Sequence, residues 1–177
     1  MATNCLLNAG LPLPCKNFMP GLLNVYVANQ SNLISYSANS TNVVTGLTLS
    51  AASFYYKFSL LKESGELIIN DIATPGMGTT AYEHVVNMYL AHFQTTVNNI
   101  LQTLSVSQLS IIVQDRNSQY WLCGATNGMD MSGTNTGNTG KGYIGGDPNG
   151  WTLSFNGQET QPPLEVSASV LNGIISN

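Results

Sequence analysis

Ionised side chains are scarce in this chain. Lys and Arg together number five and Asp and Glu nine among 177 residues, so charged residues make up 8% where about 25% is usual. The formal net charge is −4. That balance excludes a basic nucleic-acid footprint. Charge-driven disorder is excluded as well, because 43% of the residues are hydrophobic. Cysteine is sparse: Cys5, Cys15 and Cys123 form no CxxC, and no His lies near any of them in sequence. The odd count argues against a disulfide framework, and the spacing argues against a zinc site. Long hydrophobic runs are missing too. Nothing approaches the roughly 18 apolar residues of a membrane helix. Leu109–Val113 is the longest run, and Ser110 breaks it. No positive charge precedes Lys16, so the N-terminus does not read as a secretory signal and the expectation is a cytoplasmic product.

Neutral polar residues fill the gap. Asn, Ser, Thr and Gln account for 61 residues, about a third of the chain. Amides and hydroxyls shed water more cheaply than ions do, and interface cores are depleted in charge for that reason. The composition therefore fits a surface that meets other protein. It fits a secreted, polar β monomer equally well.

The hydrophobic pattern is mostly period two. Pro12, Pro14 and Pro20 make residues 1–21 an extended arm. Leu22–Asn29 alternates, with Leu23, Val25 and Val27 on one face, and Leu33–Ser37, Val43–Leu49 and Phe54–Leu61 follow as strands. Glu63–Gly65 predicts a hairpin turn into Glu66–Ile72. Thr80–Phe93 fits either a helix or a long strand, and its Tyr and Val content favours the strand. Gln94–Leu104 carries Val97, Ile100, Leu101 and Leu104 at helical spacing. Leu109–Gln114 and Gln119–Gly124 flank an Asp115–Ser118 turn. Thr126–Gly150 reads as a long Gly/Asn/Thr loop, Trp151–Phe155 as a strand and Leu164–Val170 as the last strand. The expected fold is mainly β, a β-sandwich or barrel with one flanking α-helix at about 94–104 and extended N- and C-terminal arms. Its parts are the arm 1–21, a β domain 22–163 and a C-terminal strand and tail 164–177.

Templates for chemistry fail. Gly137–Gly146 resembles a phosphate loop, but Asn135 stands where the first Gly belongs and Gly142 where Ser or Thr belongs. His84 and His92 would lie about 27 Å apart on a strand or about 12 Å on a helix, so neither spacing makes a metal pair. Both read as polar positions on a half-exposed element. On a strand Glu83 would point away from the His84 face. Asp71, Glu83, Asp115 and Asp130 supply carboxylates, yet no spacing selects two of them for glycoside hydrolysis. The expectation is no enzyme, no cofactor and no metal. The aromatics Tyr55, Tyr56, Tyr120, Trp121 and Trp151 fall on predicted strands, as core packing or as interface anchors.

Several stretches in order resemble virion structural proteins of tailed phages from Bacteroidetes-type hosts. These are Cys5 with Pro12-Leu13-Pro14-Cys15, then Gly21 and Val25–Asn29 (VYVAN), Gln119–Met131 (QYWLCGATNGMDM) and Asn149–Val166 (NGWTLSFNGQETQPPLEV). The layout is similar to the phage tail tube fold. That resemblance implies a homo-oligomer, a hexameric ring stacked into a tube, assembled in the host cytoplasm and residing in the virion tail. Its partners would be its own copies and other tail proteins, and genome DNA would pass through without specific binding. A long hairpin of Phe54–Ile72 with Thr80–Phe93 would line the lumen. Leu13, Pro14, Phe18, Tyr55, Tyr82, Val86, Trp151, Leu164 and Val166 are the candidate self-assembly residues. Other readings are a head–tail connector, tail terminator or capsid decoration protein, a carbohydrate-binding β domain using Trp121, Tyr143 and Trp151, and a hydrolase using Asp71 or Glu83.

Overall fold

Period-two hydrophobicity becomes strand almost wherever it occurs. The computed structural model describes residues 10, 18–74, 78–133, 135–142 and 148–176. Its first half holds β1 (Leu22–Asn29), β2 (Leu33–Ala38), β3 (Val43–Leu49), β4 (Tyr55–Ser59), β5 (Gly65–Thr74) and β6 (Thr79–Ala91). Helix α1 (Thr95–Leu104) follows, then β7 (Leu109–Asp115), β8 (Tyr120–Cys123), β9 (Asp130–Met131), β10 (Thr136–Asn138) and β11 (Gly150–Glu159). The chain ends with β12 (Leu164–Val166), the short helix α2 (Ala168–Leu171) and β13 (Ile175–Ser176).

The strands form two sheets. A curled eight-stranded sheet runs β13-β4-β1-β7-β8-β12-β3-β2, and a second sheet runs β10-β11-β6-β5 with β9 paired to β11. The large sheet buries both faces. On one face Val25, Val27, Leu109, Ile111 and Val113 pack against Val86, Met88, Leu153 and Phe155 of the second sheet and against Leu101 and Leu104 of α1. On the other face Tyr26, Tyr55, Ile112 and Leu122 pack with Val44, Leu164, Val166 and Leu171. Burial on both sides explains why Leu109–Val113 is a near-continuous apolar run and not an alternating one. Asn24, Gln114 and Tyr26 satisfy one another in this interior. The Asn24 amide donates to Gln114 Oε1 at 2.6 Å, and the Tyr26 hydroxyl donates to the same oxygen at 3.2 Å.

β6 settles the helix-or-strand ambiguity. His84, Val86, Met88 and Leu90 are buried, while Glu83, Val85, Asn87 and Tyr89 alternate with them on the other face. α1 buries Leu101 and Leu104. The Asp115–Ser118 turn is an Asx turn, in which Asp115 Oδ1 accepts the N–H groups of Asn117 at 2.8 Å and Gln119 at 2.9 Å.

Several expectations are corrected. A register shift between Leu22 and Asn24 in the β1–β7 ladder turns Leu22 into the core and leaves Leu23 45% exposed, so Leu23 does not share the Val25 and Val27 face. Glu63–Gly65 is no hairpin turn: β4 pairs with β1 in the large sheet and β5 with β6 in the other, so the chain crosses between sheets there. The loop 126–150 contains β9 and β10. The last strand stops at Val166, and α2 follows it. Residues 164–176 are no separate arm, because β12 lies inside the large sheet between β8 and β3. Most of the N-terminal arm, with Leu13 and Pro14, lies outside the described residues.

Candidate assembly surface

β5 and β6 form a ten-pair antiparallel hairpin from Gly65↔Met88 to Thr74↔Thr79. β11 covers the far side of β6 with another ten pairs, whereas β5 is the last strand of its sheet. The expected Phe54–Ile72 limb thus shortens to Gly65–Thr74, since β4 belongs to the other sheet. The Tyr89 N–H donates to the Ser64 carbonyl at 2.8 Å, which sets the phase of the ladder. Residues 66, 68, 70, 72 and 74 therefore bond to β6. The main-chain groups of Gly65, Leu67, Ile69, Asp71 and Ala73 point away from it, and no described strand receives them.

This open edge is long and apolar. Ile68 is 38%, Ile69 47% and Ile72 40% exposed. Protruding edges are normally blunted by Lys, Pro or a bulge. β5 has none of these: its sequence is GELIINDIAT, and its register with β6 is unbroken.

The sheet face turned away from the core is acidic and amide-rich. Glu66, Ile68 and Asn70 stand beside Asn87, Val85 and Glu83, which stand beside Ser154, Asn156 and Gln158. Asn87 Nδ2 donates to Glu66 Oε1 at 2.8 Å, and Asn70 Nδ2 to Glu83 Oε2 at 2.9 Å. No Lys or Arg lies on β5, β6 or β11. Lys62 and Glu63, both outside this sheet, form an exposed ion pair at 3.6 Å.

The structure sorts the candidate assembly residues. Tyr55, Val86, Leu164 and Val166 are buried in the two cores of a single copy, so they are not available to a neighbour. The Tyr55 hydroxyl lies 2.9 Å from Ser110 Oγ, and burial pushes its pKa up to about 12. Trp151 stacks on Phe93 with ring centroids 5.3 Å apart, and its Nε1 donates to Asn98 Oδ1 at 3.0 Å. Tyr82 is half-buried on β6. Phe18, 61% exposed, remains accessible where the arm meets the body. There the Met19 N–H donates to Asn117 Oδ1 at 2.9 Å and Asn117 Nδ2 donates back to the Met19 carbonyl at 3.1 Å. The missed surface is the β5 edge. Its signal was present in the Leu67-Ile68-Ile69 run with no cation beside it.

Two polar groups, His84 and Glu159, are buried. His84 is 2% exposed, not half-exposed, and its Nε2 lies 3.1 Å from the Gln161 carbonyl. Burial holds its pKa below the ordinary value, against smaller upward pulls from that carbonyl and from Glu159. Glu159 is 3% exposed and accepts the N–H groups of Thr126 at 2.8 Å and Asn127 at 2.9 Å through one oxygen. The loop it holds begins at Gly124, whose φ of +65° and close approach to Met129 leave no room for a side chain. Cys123 beside it is fully buried, which raises its thiol pKa.

Asp71 and Glu83 lie on opposite faces of the hairpin, and Asp115 is spent on its turn. Among the described residues no three His, Cys, Asp or Glu groups could hold a metal ion. No helix of the described residues is long and apolar enough to cross a membrane. Compared with known proteins, the chain matches no family model, no curated protein and no solved structure.

Proposed function

We propose that this protein is a structural subunit of a phage tail that joins copies of itself edge to edge into rings stacked as a tube. The observation that carries the reading is the unpaired, isoleucine-rich edge of β5. Main-chain donors and acceptors at Leu67, Ile69, Asp71 and Ala73 await a strand, and a neighbouring copy offers one at the opposite edge of the same sheet, β10. Edge-to-edge contact of that kind is heterologous and closes into a ring when the rotation allows. The resemblance stated above implies six copies.

The cation-free face of the second sheet fits the inside of such a ring. A channel for DNA works best when it does not hold phosphates, since each cationic contact adds affinity. With six copies at −4 each, the ring repels a polyanion at close range, within a Debye length of about 8–10 Å. The carbohydrate reading is weaker, because the Trp151 ring is covered by Phe93 and its N–H is committed to Asn98.

Negative-stain microscopy of the purified chain tests the proposal. Rings or tubes with a central hole are expected. Ile69→Pro removes one outward N–H without touching the β6 ladder, so a folded protein without rings is the expected variant. A wild-type chain that stays monomeric at high concentration would overturn the reading.

A further inference from the structure

An apolar groove of about 480 Å³ opens at the Asn29 end of β1, between β4 and α1. Val27 and Leu104 form its floor, and Tyr56, Phe58 and Ile100 form its walls. Ile100 is 38% and Tyr56 56% exposed, so a large apolar surface is left wet beside a well-filled core. One donor sits at this groove with nothing to bind: the Tyr56 hydroxyl has no partner among the described residues.

We infer that this groove receives Leu11–Pro14 from a second copy of the chain, which rests on the self-assembly reading above. The segment Leu-Pro-Leu-Pro suits the site on three counts. Alternating prolines restrict it to extended, polyproline-like backbone, so little conformational freedom is lost on docking. Aromatic-walled grooves are the usual seat of such segments. Prolines carry no N–H, so the segment has more acceptors than donors, and the groove offers the Tyr56 hydroxyl as a donor beside apolar walls.

Chain geometry points to a second copy. Asn117 ties Met19 down at the Leu22 end of β1, while the groove lies at the Asn29 end. The eight residues of β1 span about 24 Å at roughly 3.4 Å per residue. Pro14 is five residues from Met19 and reaches at most about 18 Å. To fill its own groove the arm would have to reverse at Phe18 and run back fully stretched. A neighbour's groove imposes neither condition.

The test places p-benzoylphenylalanine at position 13 of the full-length chain and mixes isotopically heavy and light copies before irradiation. Heavy–light cross-links from the arm to peptides containing Tyr56–Phe58 or Ile100–Leu104 are expected. Cross-links confined to one copy, or landing elsewhere, would overturn the groove assignment. Microscopy of the same sample reports separately whether rings form, so this inference can fail while the self-assembly reading stands. A chain that is monomeric and forms no heavy–light link overturns both. As a second measurement, Leu13→Glu and Ile100→Glu should each lower the assembled fraction by about tenfold, with no further loss in the double variant. Multiplying effects would count against a shared contact.

Discussion

The His84 ring and the Gln161 carbonyl meet 3.1 Å apart, joining hairpin strand β6 to the segment that carries the chain from the second sheet back to the large one. With Nε2 donating to that carbonyl, Nδ1 is left as the lone-pair nitrogen, buried and without a partner. Burial lowers the pKa, so between the ordinary value near 6.5 and the lower folded value the unfolded chain binds more protons. Stability therefore rises with pH in that window and is lost as pH falls through it. Denaturant midpoints should drop from pH 7.5 to pH 5, and His84→Gln should flatten the part of the slope that this residue causes.

Glu159 holds the 124–128 loop through two backbone N–H groups. Hydrogen bonds to a charged group contribute about 1.5–3 kcal/mol, so Glu159→Ala should destabilise by roughly that amount. Chemical denaturation measures the loss. An unchanged midpoint would show that water replaces the carboxylate at no cost.

Tyr55→Phe separates core from interface. It leaves Ser110 Oγ, fully buried, without its partner and should cost about 1–3 kcal/mol. The proposed ring formation should be unaffected, because Tyr55 is wholly inside one copy. Loss of rings with unaltered stability is the outcome that contradicts this.

On the outer sheet face, Glu66→Lys puts a cation where none stands. The folded stability should change by no more than about 0.5 kcal/mol, as for other exposed substitutions. DNA retention by assembled particles should rise, and the rise should vanish with added salt. Equal retention by wild type and variant would place that face away from the channel.

Much of the fold is legible along the chain. The sequence pattern locates β1, β3, β6 and β7 to within a residue or two: β6 by alternation, because a strand with one buried face repeats every second residue, and β7 by a near-continuous apolar run, because both its faces are buried. Asp115 announces its turn, since its side chain bonds the local backbone. The short pieces are not legible: β9, β10 and β13 have two or three residues each, too few for any period to show. His84 and Glu159 look like surface residues in sequence, because nothing local reveals which partner will satisfy a polar group in the interior.

The proposed assembly surface divides the same way. Residues 65–74 carry their Leu67-Ile68-Ile69 run and lack of cations in the primary structure alone. That β5 is an edge follows from long-range pairing: β4, six residues earlier, joins β1 in one sheet, while β5 joins β6 in the other. Periodicity records which side of a strand meets oil or water. It carries no address for the neighbouring strand, because pairing is chosen by packing between segments far apart in the chain, and so the free edge emerges only once every other strand has found its partner.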